Sequence, residues 1–194
     1  MPIKNDDNSL LWVILLQINL VERNKENLMA GLGHLGFGFA AKAIAPKVHL
    51  AVLLVATELI DILWGIFYLT GIDRGSVGMD SSAWSHSLFM SAIWSVLATV
   101  LAARIYHDRR SGIVVGLLVF SHWVIDFISH PMGAIFGGAP LPPDLPLFFN
   151  GSPKVGLGLY NHSFIIAIAS DMAMLMIGLV IYFRHKKKPV IDVQ

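Results

Sequence analysis

In the stretch SHWVIDFISHP from Ser121 to Pro131, His122, Asp126 and His130 recur at intervals of four. Four residues of helix advance about 400°, so each side chain lies about 40° round from the last and the three form one stripe. Imidazole and carboxylate are the preferred ligands of a zinc-like ion where thiolates are absent, and this chain has no cysteine. Groups of the same type stand within or at the ends of other apolar stretches: His34, Glu58 and Asp61 three residues apart, His86, and His162. The candidate metal ligands are therefore His34, Glu58, Asp61, His86, His122, Asp126, His130 and His162, with a divalent metal, zinc foremost, as the cofactor. Asp61 is also the candidate catalytic group, as a bridging ligand or base. A charged group at the centre of a bilayer costs about 2.5–3.5 kcal/mol even on lenient insertion scales, so Asp61 and Asp126 require compensation. A metal ion supplies it for all these groups at once; simple His–Asp hydrogen bonding is the plainer alternative.

The elements that must position these residues are membrane helices. The 194 residues are 55% hydrophobic and 14% charged, with a mean hydropathy of +0.66, against about 25% charged in an ordinary soluble domain. A bilayer core needs about 20 apolar residues of helix. Four segments meet that length: Val48 to Thr70, Trp84 to Ile105, Gly112 to Ser129 and His162 to Phe183. A shorter fifth, residues 30–45, is rich in Gly and Ala and is expected to pack closely against the others. The expected fold is all-α, a polytopic integral membrane protein of one domain over residues 29–188 with a short tail, 189–194. Residues 1–28 hold only a dozen mostly apolar residues, Leu10 to Val21, and read as an interfacial segment or an artefact of the start codon, with Met29 as the alternative start. The net charge of +1 gives no support for a nucleic-acid partner; the implied partners are membrane lipids.

Lys and Arg gather at Lys42 and Lys47, at Arg104, Arg109 and Arg110, and at Arg184, Lys186, Lys187 and Lys188. Positive loops face the cytoplasm, which places these three regions and the C-terminus inside and residues 71–83 and 131–161 outside. The outer loops carry glycine and proline punctuation, Gly71, Gly75 and Gly78 in one, Gly137, Gly138, Pro140, Pro142, Pro143 and Pro146 in the other. The candidate ligands then lie in the outer half, whereas His49, His107 and His185 fall at inner ends as ordinary interfacial residues. Asp171 is nine positions from His162, about 180° round the helix, and marks a helix contact.

The segments GHLGFGFAAKAIAP from Gly33, ELID from Glu58, WSHSLF around His86 and SHWVIDFISHP together resemble a bacterial family of inner-membrane metal-dependent hydrolases described as LexA-binding, itself similar to the zinc-dependent phospholipase C group. The resemblance covers roughly residues 29–162 and implies metal-binding roles for His34, Asp61, His86, His122 and Asp126. It departs from the family at Leu59, where an Asp-x-Asp pair would place an acid, at Ser85 in place of threonine, and at Ile166, four after His162, where the phospholipase C group has an acid. A site of one or two metals is expected. The implied reaction is hydrolysis of a phosphoester, lipid or lipid-linked, at the outer headgroup level: a zinc-like ion acidifies water and polarises a phosphoryl oxygen. Ser85 and Ser87 would orient imidazoles, and Arg74 or Lys154 would meet a substrate phosphate.

Two other functions use the same residue types. A metal or proton transporter needs polar groups along its whole path. The inner halves Val48–Thr57, Trp94–Ala103, Gly112–Ser121 and Met172–Phe183 contain no Asp, Glu, Lys or Arg, which favours a pocket open on one side. A metal that only pins helices together is the third reading, and differs from catalysis in coupling metal to folding.

Overall fold

The structure, a computed structural model, describes residues 31–72, 83–133, 139–149 and 151–186. The expectations on residues 1–28, Met29, Arg74, Gly75, Gly78, Gly137, Gly138, Lys187 and Lys188 lie outside these residues. Seven helices are present among them: α1 Leu32–Ala41, α2 Leu50–Thr57, α3 Leu59–Thr70, α4 Ala83–His86, α5 Leu88–Ile105, α6 Arg109–Ser129 and α7 Phe164–Lys186. The one strand pair among the described residues is a two-residue antiparallel ladder, β1 Leu145–Pro146 with β2 Lys154–Val155, pairing Leu145 with Val155.

Three helices, α5, α6 and α7, are long and apolar enough to cross a membrane. The expected span Val48 to Thr70 is instead a pair, α2 and α3, bent by 60°, which makes a fourth only if the pair is one broken span. The bend falls at Glu58, whose backbone leaves the helical region at φ −103° and ψ 4°. Just before it, the Thr57 hydroxyl donates to the Leu54 carbonyl at 2.7 Å, a back-bond of the kind that bends helices. α1 has ten residues, about 15 Å at 1.5 Å each, roughly half of a bilayer core.

Two further boundaries differ from the sequence expectation. The stretch from Trp84 is interrupted at Ser87, whose hydroxyl accepts the Met90 N–H at 3.2 Å and starts α5 afresh, leaving His86 at the end of the one-turn α4. α6 stops at Ser129, and His130 is extended with ψ 145°. Pro131 follows it, and the residue before a proline is pushed out of the helical region. His130 therefore leaves the stripe that spacing alone assigns to it.

α6 is the central helix, with 56% of its apolar stretch buried against 17% in α5 and in α7. It packs on α5 through Gly112 and Gly116; a Cβ on Gly116 would fall 1.8 Å from Thr99 Oγ1. The Ser95 hydroxyl donates to the Gly116 carbonyl at 2.7 Å across the same contact. α1 runs alongside α7, Gly33 facing Asp171, Gly36 facing Met174 and the Phe39 ring 5.7 Å from that of Tyr182. A Cβ on Gly178 would lie 2.0 Å from the Gly36 carbonyl oxygen, so the Gly-rich α1 packs as closely as its composition predicts. Ala45, Val48, Leu53, Ile60, Val119 and Trp123 lie in one apolar core joining α2, α3 and α6.

The two ends of the bundle differ. α5 ends and α6 begins at Arg104, Arg109 and Arg110, with Asp108 capping α6 by accepting the Ser111 N–H at 2.9 Å. The opposite end of α6 is covered by residues 157–160, whose N–H groups donate to the carbonyls of Phe127, His130, Ile128 and Ser129 and so satisfy a helix C-terminus. Gly156 permits that close approach, since a Cβ there would sit 2.4 Å from the His130 oxygen. The His and Asp side chains gather at this second end.

Candidate metal centre

His122 is held by the bend in the α2–α3 pair. Thr57 is the last residue of α2, and its carbonyl lies 2.6 Å from His122 Nδ1. A carbonyl only accepts, so Nδ1 carries the proton and the lone pair of the neutral ring is on Nε2. A helix end leaves carbonyls that need a donor, and this one is met by a side chain. His34, from α1, places its Nδ1 2.9 Å from the same His122 Nδ1, with the rings edge to face at 4.1 Å. Since His122 donates, His34 accepts at Nδ1 and carries its own proton on Nε2, which faces Asp126 Oδ1 at 3.7 Å.

His122 Nε2 points into a group of acids and a second imidazole. His122 Nε2 lies 3.4 Å from Asp61 Oδ1 and 3.3 Å from Asp126 Oδ2. His86 Nε2 lies 3.0 Å from Asp61 Oδ1 and 3.7 Å from Asp126 Oδ2. On its other nitrogen His86 meets the Ser85 hydroxyl at 2.9 Å, the bond to a second partner that fixes which nitrogen faces a metal. Thus α3, α4 and α6 each bring ligand atoms to one place, and α1 and the α2 terminus set the His122 tautomer.

Among the described residues, two sets of three could hold an ion: Asp61, His86 and His122, and the buried His34, Glu58 and His122, each with ligand atoms within 4.8 Å of one another. His122 Nε2 and Asp126 Oδ2 are buried and have no hydrogen-bond partner despite lying 3.3 Å apart. Buried polar atoms are nearly always paired, and two unpaired ones of ligand type beside two further ligands fit a cation. The side chain of Asp61 is 48% exposed, against 3% for Asp126, so Asp61 is the more open of the two acids.

The remaining candidates stand elsewhere. His130 is buried, but its Nδ1 bonds Asp144, 3.2 and 3.1 Å from the two carboxylate oxygens. Burial opposes its charge, yet the Asp144 bond and the Asp126 and Asp144 carboxylates outweigh that, and the imidazole titrates above its ordinary value. His162 is exposed in the turn before α7 and makes none of the ligand contacts above. Its neighbour Asn161 is the inward residue, its amide bonded both ways to the Leu141 backbone at 2.8 and 2.9 Å. Ser87, expected to orient His86, caps α5 instead.

Sequence reasoning missed three groups. The Thr57 carbonyl has no signature in residue types. Asp144 had one, as an acid within a proline-rich outer loop. Asp171, read only as a helix contact, accepts the Gly31 N–H at 3.1 Å and the Tyr160 hydroxyl at 2.5 Å, anchoring the start of α1 one turn before His34. Nothing in the comparisons bears on these roles: no family model, curated protein or solved structure matches the chain.

Proposed function

We propose that this chain is a bacterial inner-membrane protein of four spans, the bent α2–α3 pair being one, with α1 packed as a shorter fifth helix and the C-terminus in the cytoplasm. Its His/Asp centre binds one divalent ion of zinc type and hydrolyses a phosphoester, lipid or lipid-linked, at the outer face. The observation that carries this reading is the unpaired His122 Nε2 beside Asp126 Oδ2, with Asp61 and His86 completing the set. One ion rather than two follows from the proton inventory: both sets of ligands use His122, and its single lone pair faces Asp61 and Asp126.

Held there, the ion would polarise a phosphoryl oxygen and favour deprotonated water. The chain's own residues supply the rest. Asp61, the more exposed acid, would accept a proton from the attacking water; buried Asp126 and His122 stay fixed; Ser85 orients His86; His34 and the Thr57 carbonyl hold the His122 ring. The resemblance of the sequence to inner-membrane metal-dependent hydrolases supports the same reading. Zinc-loaded protein in detergent should cleave a chromogenic phosphodiester or a phospholipid, with Asp61→Asn slower by about 10²-fold or more. If the wild type retains zinc and cleaves neither, the non-catalytic metal site is the correct reading.

A further inference from the structure

On the far side of α6 from the metal ligands, between α6, α7 and α1, lies a cavity of about 360 Å³. Phe37, Leu117, Val124, Ile128, Leu159 and Met174 form most of its wall. Four polar side chains also line it, and every one is already paired. Ser121 donates to the Leu118 carbonyl, Ser129 to that of Asp126, Ser170 to that of Ile166, and Tyr160 to Asp171. The cavity therefore offers a ligand no free hydroxyl donor, only hydroxyl oxygens that can still accept, and a hydrated solute would recover little of its lost hydration there.

From Leu117 to Ile128 the wall runs along α6 for twelve residues, a rise of about 16 Å, close to the roughly 15 Å hydrocarbon depth of one leaflet. Leu117, Val124 and Ile128 are 62%, 39% and 41% exposed, so the cavity opens sideways from the helix surfaces. Its upper end is closed by Leu159 and Tyr160, beside the loop that covers the α6 terminus.

We infer that this groove is a binding site for a single acyl chain of a membrane lipid, drawn from the leaflet on the metal-centre side. Its mostly apolar wall, its length along α6 and the donation of all four hydroxyl protons within the protein suit a hydrocarbon chain. The inference rests on the helices lying in a bilayer and on no property of the metal centre.

The test uses the full chain reconstituted in phosphatidylglycerol vesicles doped with a phosphatidylglycerol bearing a diazirine midway along one acyl chain. Irradiation and peptide mapping should concentrate adducts on residues 117–128 and around Met174. Val124→Trp, which fills the groove, should reduce them at least about tenfold. Leu101→Trp, on the exposed face of α5, should leave them unchanged. Adducts spread evenly over the exposed faces of α5, α6 and α7 in the wild type would overturn the inference without reference to any variant, as would undiminished labelling in a folded Val124→Trp. Labelling that persists after the metal is chelated keeps this result separate from the fate of the metal centre.

Discussion

The Thr57 carbonyl accepts from His122 Nδ1 at 2.6 Å, 65 residues away in sequence. This bond joins the bend of one helix pair to the central helix and decides which imidazole nitrogen faces Asp61 and Asp126. Without the break at Glu58, the residue types of the centre would be present but His122 would have no fixed tautomer. Several variants separate the contributions around it.

The Ser85 hydroxyl meets His86 Nδ1 across 2.9 Å. Ser85→Ala should weaken zinc binding by about 10–100-fold while leaving the helices folded. Competition with a chromophoric chelator measures it; an unchanged affinity would show that His86 needs no orienting partner.

The two acids should divide roles by exposure. Asp126, 3% exposed, is fixed between His122 and His86, and Asp126→Asn should abolish stoichiometric zinc. Asp61→Asn should retain zinc more weakly and lose about 10²-fold or more in hydrolysis, the range of a general base. Equal loss of metal in both variants would remove the distinct role for Asp61.

The contact of α1 with α7 admits no side chain at Gly178, because a Cβ there would meet the Gly36 carbonyl oxygen at 2.0 Å. Gly178→Ala should destabilise the bundle by about 1–3 kcal/mol, read as an earlier midpoint in mixed-micelle unfolding. His34 rides on α1, so zinc affinity should fall with it.

His130 titrates above its ordinary value in the folded protein because its pairing with Asp144 outweighs burial. A raised folded-state pKa means that the pair's contribution to stability is fully present below the unfolded value, about 6.5. It is lost as pH rises through the folded value. Asp144→Asn should lower the His130 pKa in an NMR titration and flatten the dependence of the unfolding midpoint on pH above 6.5. A His130 titration identical in both proteins would contradict the pairing.

Much of the centre was legible in the sequence because it is carried by residue types at helical spacing. His122 and Asp126 are four apart on one face, and His34, Asp61 and His86 fall at the same end of their apolar stretches. Where the chain leaves regular helix, spacing misleads. Pro131 takes His130 out of the stripe, and the turn before α7 points Asn161 inward and His162 outward. The apolar run Val48 to Thr70 carries no proline to announce its bend, which depends on a threonine hydroxyl competing for a backbone carbonyl. The Thr57 carbonyl and the pairing of Asp144 with His130 are tertiary facts, set by how separate segments meet.

The central claim is that His122, Asp126, Asp61 and His86 form a cation site. Its most direct test is elemental analysis of detergent-purified protein prepared with ample zinc, wild type beside His122→Ala and Asp126→Ala, each checked for helicity by circular dichroism. The account predicts about one zinc per wild-type chain and none in the folded variants. A well-folded wild type without metal would contradict it, leaving the buried imidazoles and carboxylates as a polar contact among helices.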